Sequence, residues 1–120
     1  MNREDMFALV NRQAVAWQTR DSPAVAADFA TDGVLIAPSG RLTGPDAIRE
    51  AAESVFASTT VIKITIKRIL IDGDQGAVEW IWTETSARTG QQKTMDDAII
   101  FAVQDSKIVY WREYINDAVD

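Results

Sequence analysis

The sequence predicts an α+β fold in which a strongly curved antiparallel sheet forms a cone around three N-terminal helices. Helical periodicity is confined to the chain before residue 58, and beyond that point apolar and polar residues alternate as they do in β-strands. Helices followed by a run of antiparallel strands are typical of α+β domains. Because a chain of 120 residues suits one domain, we predict a single domain over residues 1–120.

The first two helices are predicted from apolar spacing and from capping residues. Apolar side chains recur at three- and four-residue steps over residues 3–19, which predicts a long first helix. Ser22 is a favourable N-cap and Pro23 suits the first helical position. We therefore predict a short second helix over residues 24–30.

A single early strand separates these helices from the third. Turn-forming residues at 31–33 and 38–40 bracket a short apolar segment at 34–37, which predicts that strand. A further turn at residues 44–46 opens the third helix, whose apolar stripe ends at Phe56.

Four antiparallel strands are predicted after the third helix. Residues 60–71 are rich in Val, Ile and Thr and alternate apolar with polar side chains, and residues 77–88 form the next strand. The last two strands lie within residues 94–116 and are joined by a tight turn at 104–106. These strands form an antiparallel meander.

Each of the last two strands carries one carboxylate within an apolar face. On the first of these strands, Asp97 shares a face with Ile99, Phe101 and Val103. On the second, Glu113 shares a face with Val109, Trp111 and Ile115. An acid inside an apolar face costs several kcal/mol unless it is paired, protonated or hydrated. A ligand cavity is one reason to retain such a pair, so Asp97 and Glu113 are the candidate catalytic residues.

Asp96 and Asp97 point to opposite faces of their strand, and the following turn decides which of them shares a face with Glu113. A two-residue turn places Asp96 there, whereas a three-residue or bulged turn places Asp97 there. The residues that share a face with Asp97 (Ile99, Phe101 and Val103) are larger than those that share a face with Asp96 (Ala98, Ile100 and Ala102), and they fill a core better. We therefore predict that Asp97 faces inward and Asp96 outward.

Composition excludes several classes of function. The chain has no histidine and no cysteine, which excludes disulfides, thiol nucleophiles, histidine bases and zinc fingers. A net charge of −6 argues against nucleic acids and anionic membranes as partners. No signal peptide or transmembrane segment is visible, so a cytoplasmic location is expected. We expect no metal ion and no cofactor.

Aromatic residues are the candidate ligand-binding residues. They provide core filling in any fold, but in a cone the inward strand positions also line the pocket. An aromatic lining suits a flat, apolar small molecule as the partner. The predicted lining residues are Trp17, Trp80, Trp82, Phe101 and Trp111.

Two segments resemble a known superfamily. ATDGVLIAPSGRLTGPDAIREAAESVF and RTGQQKTMDDAIIFAVQDSKIVYWREYIN resemble the nuclear transport factor 2-like superfamily, in its SnoaL-like polyketide cyclase, ketosteroid isomerase and limonene epoxide hydrolase branches. The resemblance covers nearly the whole chain and implies a cone-shaped fold with a small-molecule pocket. It also implies dimers that associate through their sheets.

The resemblance transfers catalytic residues only in part. Ala37 occupies the place of the ketosteroid isomerase base, and Gln13 that of its oxyanion-hole tyrosine. Trp80 and Trp82 replace the arginine and aspartate of the epoxide hydrolases, so neither of these activities is expected. The resemblance to SnoaL-like cyclases implies one acid–base aspartate on the penultimate strand, which Asp97 matches.

Two functions remain open for this pocket. The first is a cofactor-free isomerase or cyclase that moves a proton on an apolar or polycyclic substrate through Asp97. The second is a non-catalytic module that binds a hydrophobic ligand or only stabilises the fold, with Asp97 hydrogen-bonded to a structural donor or hydrated at a strand end. For Glu113, the alternative to catalysis is an ion pair with Arg88, Lys93 or Arg112.

The outward face of the predicted sheet is unusually apolar. No helix remains to cover this face, and soluble monomers rarely expose so large an apolar patch. We therefore predict a homodimer through this outer face, with the two cone mouths pointing away from each other. The patch residues are Ile81, Ala98, Ile100, Ala102, Tyr110 and Tyr114.

Overall fold

A computed structural model describes residues 1–117 as three helices and six strands. The helices are α1 (Arg3–Gln18), α2 (Ser22–Ala27) and α3 (Pro45–Ser58). The strands are β1 (Phe29–Ala37), β2 (Gly40–Thr43), β3 (Thr59–Asp72), β4 (Gln75–Ser86), β5 (Gln92–Gln104) and β6 (Lys107–Asp117).

The strands form one open sheet in the order β2-β1-β6-β5-β4-β3. The four strands after α3 form the predicted antiparallel meander. The early strand β1 instead pairs in parallel with β6, so the sheet is mixed and not wholly antiparallel. The predicted α+β class, with a curved sheet and three helices, is confirmed.

The helices and one face of the sheet, here called the inner face, share one apolar core. Met6, Leu9 and Val10 of α1 are fully buried, as are Ile48 and Ala52 of α3. These side chains belong to one buried cluster with the inward residues of β3 to β6. No helix within residues 1–117 has the length and apolarity that crossing a membrane requires.

The boundaries of α2 differ from the predicted ones. Its N-cap is Asp21, and not Ser22, because the Asp21 carboxylate accepts a hydrogen bond from the Ala24 N–H at 3.1 Å. The helix ends at Ala27, three residues earlier than predicted. Asp28, the next residue, is held by hydrogen bonds from α1, and Phe29 already begins β1.

The early strand is longer than predicted and has a hairpin partner. Residues 31–33, predicted as a turn, lie within β1, where pairing with β6 is interrupted between Phe29 and Val34. Gly33 is needed in this irregular segment, because a Cβ there would lie 2.5 Å from the Ile108 carbonyl oxygen. The partner β2 was not predicted, because its four residues are mostly exposed and show no clear alternation.

The turn between β5 and β6 fixes the register of the candidate site. It consists of Asp105 and Ser106, which both have positive φ (52° and 64°), as hairpin turns of two residues require. A bulge at Val109 then shifts the pairing by one residue. Ile108 is fully buried in the inward position predicted for Val109.

This bulge places Asp97 on the inner face. The Asp97 side chain is buried, with 5% of its surface exposed, whereas Asp96 is exposed. The turn has the shorter of the two predicted lengths, and the bulge restores the orientation that side-chain bulk favours. Asp97 and Glu113 consequently lie on the same face of neighbouring strands.

Candidate active site

Asp97 is a buried carboxyl group with a single hydrogen-bond donor. It lies on β5 opposite Trp80 of β4, whose indole Nε1 donates to Oδ2 at 3.0 Å. The other carboxyl oxygen, Oδ1, is buried and has no hydrogen-bond partner among residues 1–117. Burial raises the pKa of Asp97 to about 6; the hydrogen bond from Trp80 opposes this rise, and the charge of Asp96 adds to it.

Glu113, which is half-buried on β6, also accepts a hydrogen bond from a tryptophan. The Trp111 indole Nε1 donates to Glu113 Oε1 at 3.1 Å. Burial raises the pKa of Glu113 to about 7; the Trp111 hydrogen bond lowers it, and the charge of Asp97 raises it further. Both candidate carboxyl groups therefore have pKa values close to neutrality.

The expected ion pair of Glu113 is not formed. None of the salt bridges within residues 1–117 includes Glu113 or Arg88. Lys93 instead lies 3.8 Å from Asp117, and the guanidinium of Arg112 lies over the Tyr114 ring, 4.9 Å from its centroid. Arg112 could not reach Glu113 easily, because consecutive strand residues point to opposite faces.

A third pair of the same kind was not predicted. Trp82 donates its indole N–H to Glu84 Oε1 at 2.9 Å, from two residues earlier on β4. Trp111 and Glu113 have the same spacing, which puts the tryptophan and the acid on one face of a strand. A search for Trp-x-Glu in the strands would have found both pairs, whereas Trp80 and Asp97 meet only through the sheet register.

The five predicted lining residues are brought together but are closely packed. Trp111 contacts Trp80 and Phe101, with ring centroids 6.1 and 5.6 Å apart. Trp17 meets Trp82 edge-on at 5.4 Å. All five are buried, and Phe101 has no exposed surface. They form the aromatic core beneath the carboxyl pair, and their contact with a ligand stays a prediction.

The open part of the site lies at the end of β1. β6 extends past β1 here, since the last pair between them joins Ile36 and Arg112. A groove of about 290 Å³ lies at this point, and Glu113 belongs to its wall with Ala37, Pro38 and Ile115. This volume is at the lower end for small-molecule sites.

The two positions that correspond to ketosteroid isomerase catalytic residues, Gln13 and Ala37, do not supply catalytic groups to the groove. Gln13 is buried and donates hydrogen bonds to the Val25 carbonyl and to Asp28 Oδ2, both at 3.0 Å, so it belongs to the packing of α1 on α2. Ala37 brings no polar side chain to the groove. Within the described residues, no group of three or more acidic side chains is arranged to hold a metal ion.

Asp97 and Glu113 can act as a pair. Asp97 pairs with Ile115 and Glu113 pairs with Ile99, which makes the two acids diagonal neighbours across antiparallel strands. Diagonal side chains have Cβ atoms within about 7–8 Å of each other, so one small molecule can contact both. With pKa values of about 6 and about 7, the pair can hold a proton acceptor and a proton donor at the same pH.

Comparison with solved structures agrees with this fold. A protein of Catenulispora acidiphila with a ketosteroid isomerase-like fold, in complex with trimethylamine, is 20% identical, with a TM-score of 0.83 over 88% of this chain and 83% of that one. A nuclear transport factor 2-like protein of unknown function from Exiguobacterium is 23% identical, with a TM-score of 0.80 over 92% and 99% of the two chains. At these identities the likeness establishes the fold alone.

An enzyme also occurs among these structures. An epoxide hydrolase of M. tuberculosis, described as limonene epoxide hydrolase-like, is 20% identical, with a TM-score of 0.81 over 94% of this chain and 84% of that one. No curated protein matches the chain in sequence. The family model of the SnoaL-like domain matches residues 10–111, and the chain therefore belongs to the SnoaL-like domain family.

Proposed function

We propose that this protein is a cofactor-free acid–base enzyme, an isomerase or cyclase, that acts on a small apolar or polycyclic substrate through Asp97. The observation that carries this proposal is the pair Asp97 and Glu113. Each is an inward carboxyl group with one indole donor, no salt bridge to any of residues 1–117, and a pKa near neutrality. Perturbed carboxyl groups that lie beside each other are typical of catalytic sites.

The two acids suit a proton shift next to a carbonyl group. Asp97, with the lower pKa, would accept the proton from the carbon adjacent to the carbonyl. The electron pair of that C–H bond forms a C=C bond while the π pair of the carbonyl moves to its oxygen, and protonated Glu113 supplies a hydrogen bond or a proton to this developing enolate oxygen. In a β,γ-unsaturated ketone the enolate is a conjugated dienolate, so return of the proton from Asp97 to its far carbon, with any proton on the oxygen returned to Glu113, completes an isomerisation with no net oxidation or reduction.

Proton exchange from 2-tetralone, a flat apolar ketone, tests this proposal. The protein in deuterated buffer near pH 7 should accelerate deuterium uptake beside the carbonyl, as measured by proton NMR. Asp97→Asn should lower the protein-dependent rate by about 100-fold or more, the range for loss of a general base. Asp96→Asn is the matched control, because Asp96 is exposed beside Asp97. Full exchange by Asp97→Asn would contradict the proposal.

A binding module without catalysis is the second candidate, and close packing favours it. Trp80 and Trp111 are each 1% exposed, and the buried Phe101 ring packs against Trp111, with the two ring centroids 5.6 Å apart. In that case 2-tetralone would change tryptophan fluorescence with no deuterium exchange above the buffer rate. Exchange that depends on Asp97 would exclude this candidate.

A further inference from the structure

The carboxyl groups of the inner face have hydrogen-bond capacity that the protein does not use. An ionised carboxylate offers about four acceptor positions. Asp97, Glu113 and Glu84 each accept one side-chain hydrogen bond, in every case from a tryptophan N–H. Within the described part of the chain, the buried Asp97 Oδ1 has no partner, although a buried oxygen of this kind normally has one.

The negative charge of this site is also not balanced by the described part of the chain. Salt bridges within residues 1–117 occupy other acids, and none includes Asp97, Glu113 or Glu84. The charges that act most strongly on the pair are themselves negative: Asp96 acts on Asp97, and Asp97 acts on Glu113. An indole N–H is a neutral donor, so the three tryptophans orient the acids without neutralising them.

The surroundings of the pair suit an organic cation. The Trp80 and Trp111 indoles are joined to the two acids by their hydrogen bonds, and their ring centroids lie 6.1 Å apart. Carboxylates accept N⁺–H hydrogen bonds strongly, and the buried indole rings, whose N–H edges point at the acids, give the site an apolar surround that suits an organic body. A hydrated metal ion would gain little from such an apolar aromatic wall.

We propose that the ligand of this site is an amine cation on a small apolar or aromatic body, with an N⁺–H group that binds between Asp97 and Glu113. This inference rests on the proposed function, since it uses the same carboxyl pair and narrows the class of substrate. The buried Oδ1 of Asp97 is the expected first acceptor. Glu113 lines a groove of about 290 Å³, which admits a body of one or two rings; Arg112, which also belongs to this lining, lies over the Tyr114 ring.

A comparison of ligands that differ only in charge tests the inference on the intact protein. 2-Aminotetralin is a cation at pH 7.5, and 2-methyltetralin is its neutral counterpart of similar shape. Calorimetric titration should show the cation binding at least about tenfold more tightly, which corresponds to about 1.4 kcal/mol. Titration near pH 6 in buffers of different ionisation enthalpy should also show protons released from the carboxyl pair when the amine binds.

Substitutions at Asp97 and Glu113 test whether these two acids cause the preference for the amine over its neutral counterpart. Asp97→Asn and Glu113→Gln keep the size of the side chains and should each reduce the preference for the amine, and the double variant should abolish it. Asp96→Asn removes the same charge from the exposed neighbouring position and should keep the preference within about twofold, because Asp96 points to the opposite face of the strand and solvent screens its charge. Circular dichroism checks that each variant is folded.

Three results would overturn the inference: equal binding of the two tetralins, no binding of the amine below about 1 mM, or a preference that survives in the double variant. These results are separable from those on the proposed function. Deuterium exchange from 2-tetralone without a preference for the amine would refute the cationic ligand and leave the acid–base function standing. Preferential binding of the amine without any deuterium exchange would refute the acid–base function and leave the cationic ligand standing.

Discussion

At the scale of single residues, Asp97 makes stability depend on pH in a direction opposite to that of a salt-bridged aspartate. Its pKa is about 6 in the folded protein and about 3.8 without the fold. The folded state therefore holds the proton more tightly, and the stability from this residue is complete below about pH 4 and is lost as pH rises through about 6. At neutral pH the buried charge of Asp97 therefore lowers the free energy of unfolding.

Asp97→Asn should consequently stabilise the protein at high pH. We expect the free energy of unfolding at pH 8 to exceed that of the wild type by up to about 3 kcal/mol, because each pH unit of pKa shift corresponds to about 1.4 kcal/mol. At pH 4 the difference should vanish. Urea denaturation at both pH values measures it, with Asp96→Asn as the control. A variant less stable than the wild type at pH 8 would contradict this account.

Trp111 holds the pKa of Glu113 below the value that burial alone would give. Trp111→Phe removes the N–H donor while keeping an aromatic ring, so the pKa of Glu113 should rise further above 7. A carbon-13 NMR titration of the glutamate carboxyl carbons measures this shift. Trp17→Phe is the control, because Trp17 touches other aromatic rings at the far end of the core. An unchanged or lowered pKa of Glu113 would show that the hydrogen bond does not act in solution.

At the scale of elements, α1 protects the exposed edge of the sheet. β3 is an edge strand of 14 residues, and such edges invite pairing with other chains. Gln18 Oε1 accepts the Ile64 N–H at 3.0 Å, and Arg20, just after α1, donates to the Thr59 carbonyl oxygen at 2.8 Å. Side chains from the helix thus satisfy backbone groups that a neighbouring strand would otherwise bind.

Arg20 is the strongest of these contacts. Its guanidinium also donates to the Phe56 carbonyl oxygen at the end of α3 and lies 5.2 Å from the centroid of the Phe56 ring. Arg20→Ala should lower the free energy of unfolding by about 2–3 kcal/mol, the range for lost hydrogen bonds from a charged group. Chemical denaturation measures this, and Arg41→Ala on exposed β2 should change stability by less than about 0.5 kcal/mol. Equal effects of the two substitutions would refute the proposed role.

The elements also show how far sequence patterns reach. Alternation predicted the faces of β4 to β6, and with them the inward acids Asp97 and Glu113, because side-chain periodicity is a local property. The parallel pairing of β1 with β6 was missed because it joins distant segments with no local signal. The bulge at Val109 was only one of two options, since either turn length was compatible with the residues at 104–106.

The polar contacts of the site were harder to predict than its faces. An ion pair of Glu113 with Arg88, Lys93 or Arg112 was the predicted alternative to catalysis, although Arg112 points away from Glu113 as consecutive strand residues do. The actual partner, Trp111, lies two residues from Glu113 on the same face. The hydrogen bond from Trp80 to Asp97 depends on the exact pairing of β4 with β5, which no single strand specifies.

At the scale of the whole molecule, the outer face of the sheet exposes large apolar side chains that no helix within residues 1–117 covers. Ile100 and Tyr114 are 46% and 47% exposed, and Leu70 at the adjoining edge is 58% exposed. Leu70, Ala77 and Ile100 form one row across β3, β4 and β5. Of the six residues predicted for this patch, Ile81, Ala102 and Tyr110 are half-buried and the other three are exposed.

A second copy of the chain is the proposed cover for this face. All three helices lie on the inner face, and beside the apolar rows of the outer face Arg68 and Glu79 form an ion pair at 3.0 Å. An isologous twofold contact would bury Ile100 and Tyr114 of each copy against the same patch of the other copy. The two candidate sites, on the inner faces, would then open away from the contact.

Light scattering across a concentration series should give the mass of a dimer at micromolar protein. Ile100→Lys should shift the mass to that of a monomer, because the lysine ammonium would be buried without a partner in an apolar interface. Val15→Lys is the matched control: Val15 is 56% exposed on α1, away from the sheet, and its substitution should leave the dimer intact. A monomeric wild type, or a dimer that survives Ile100→Lys, would show that the outer face has another role.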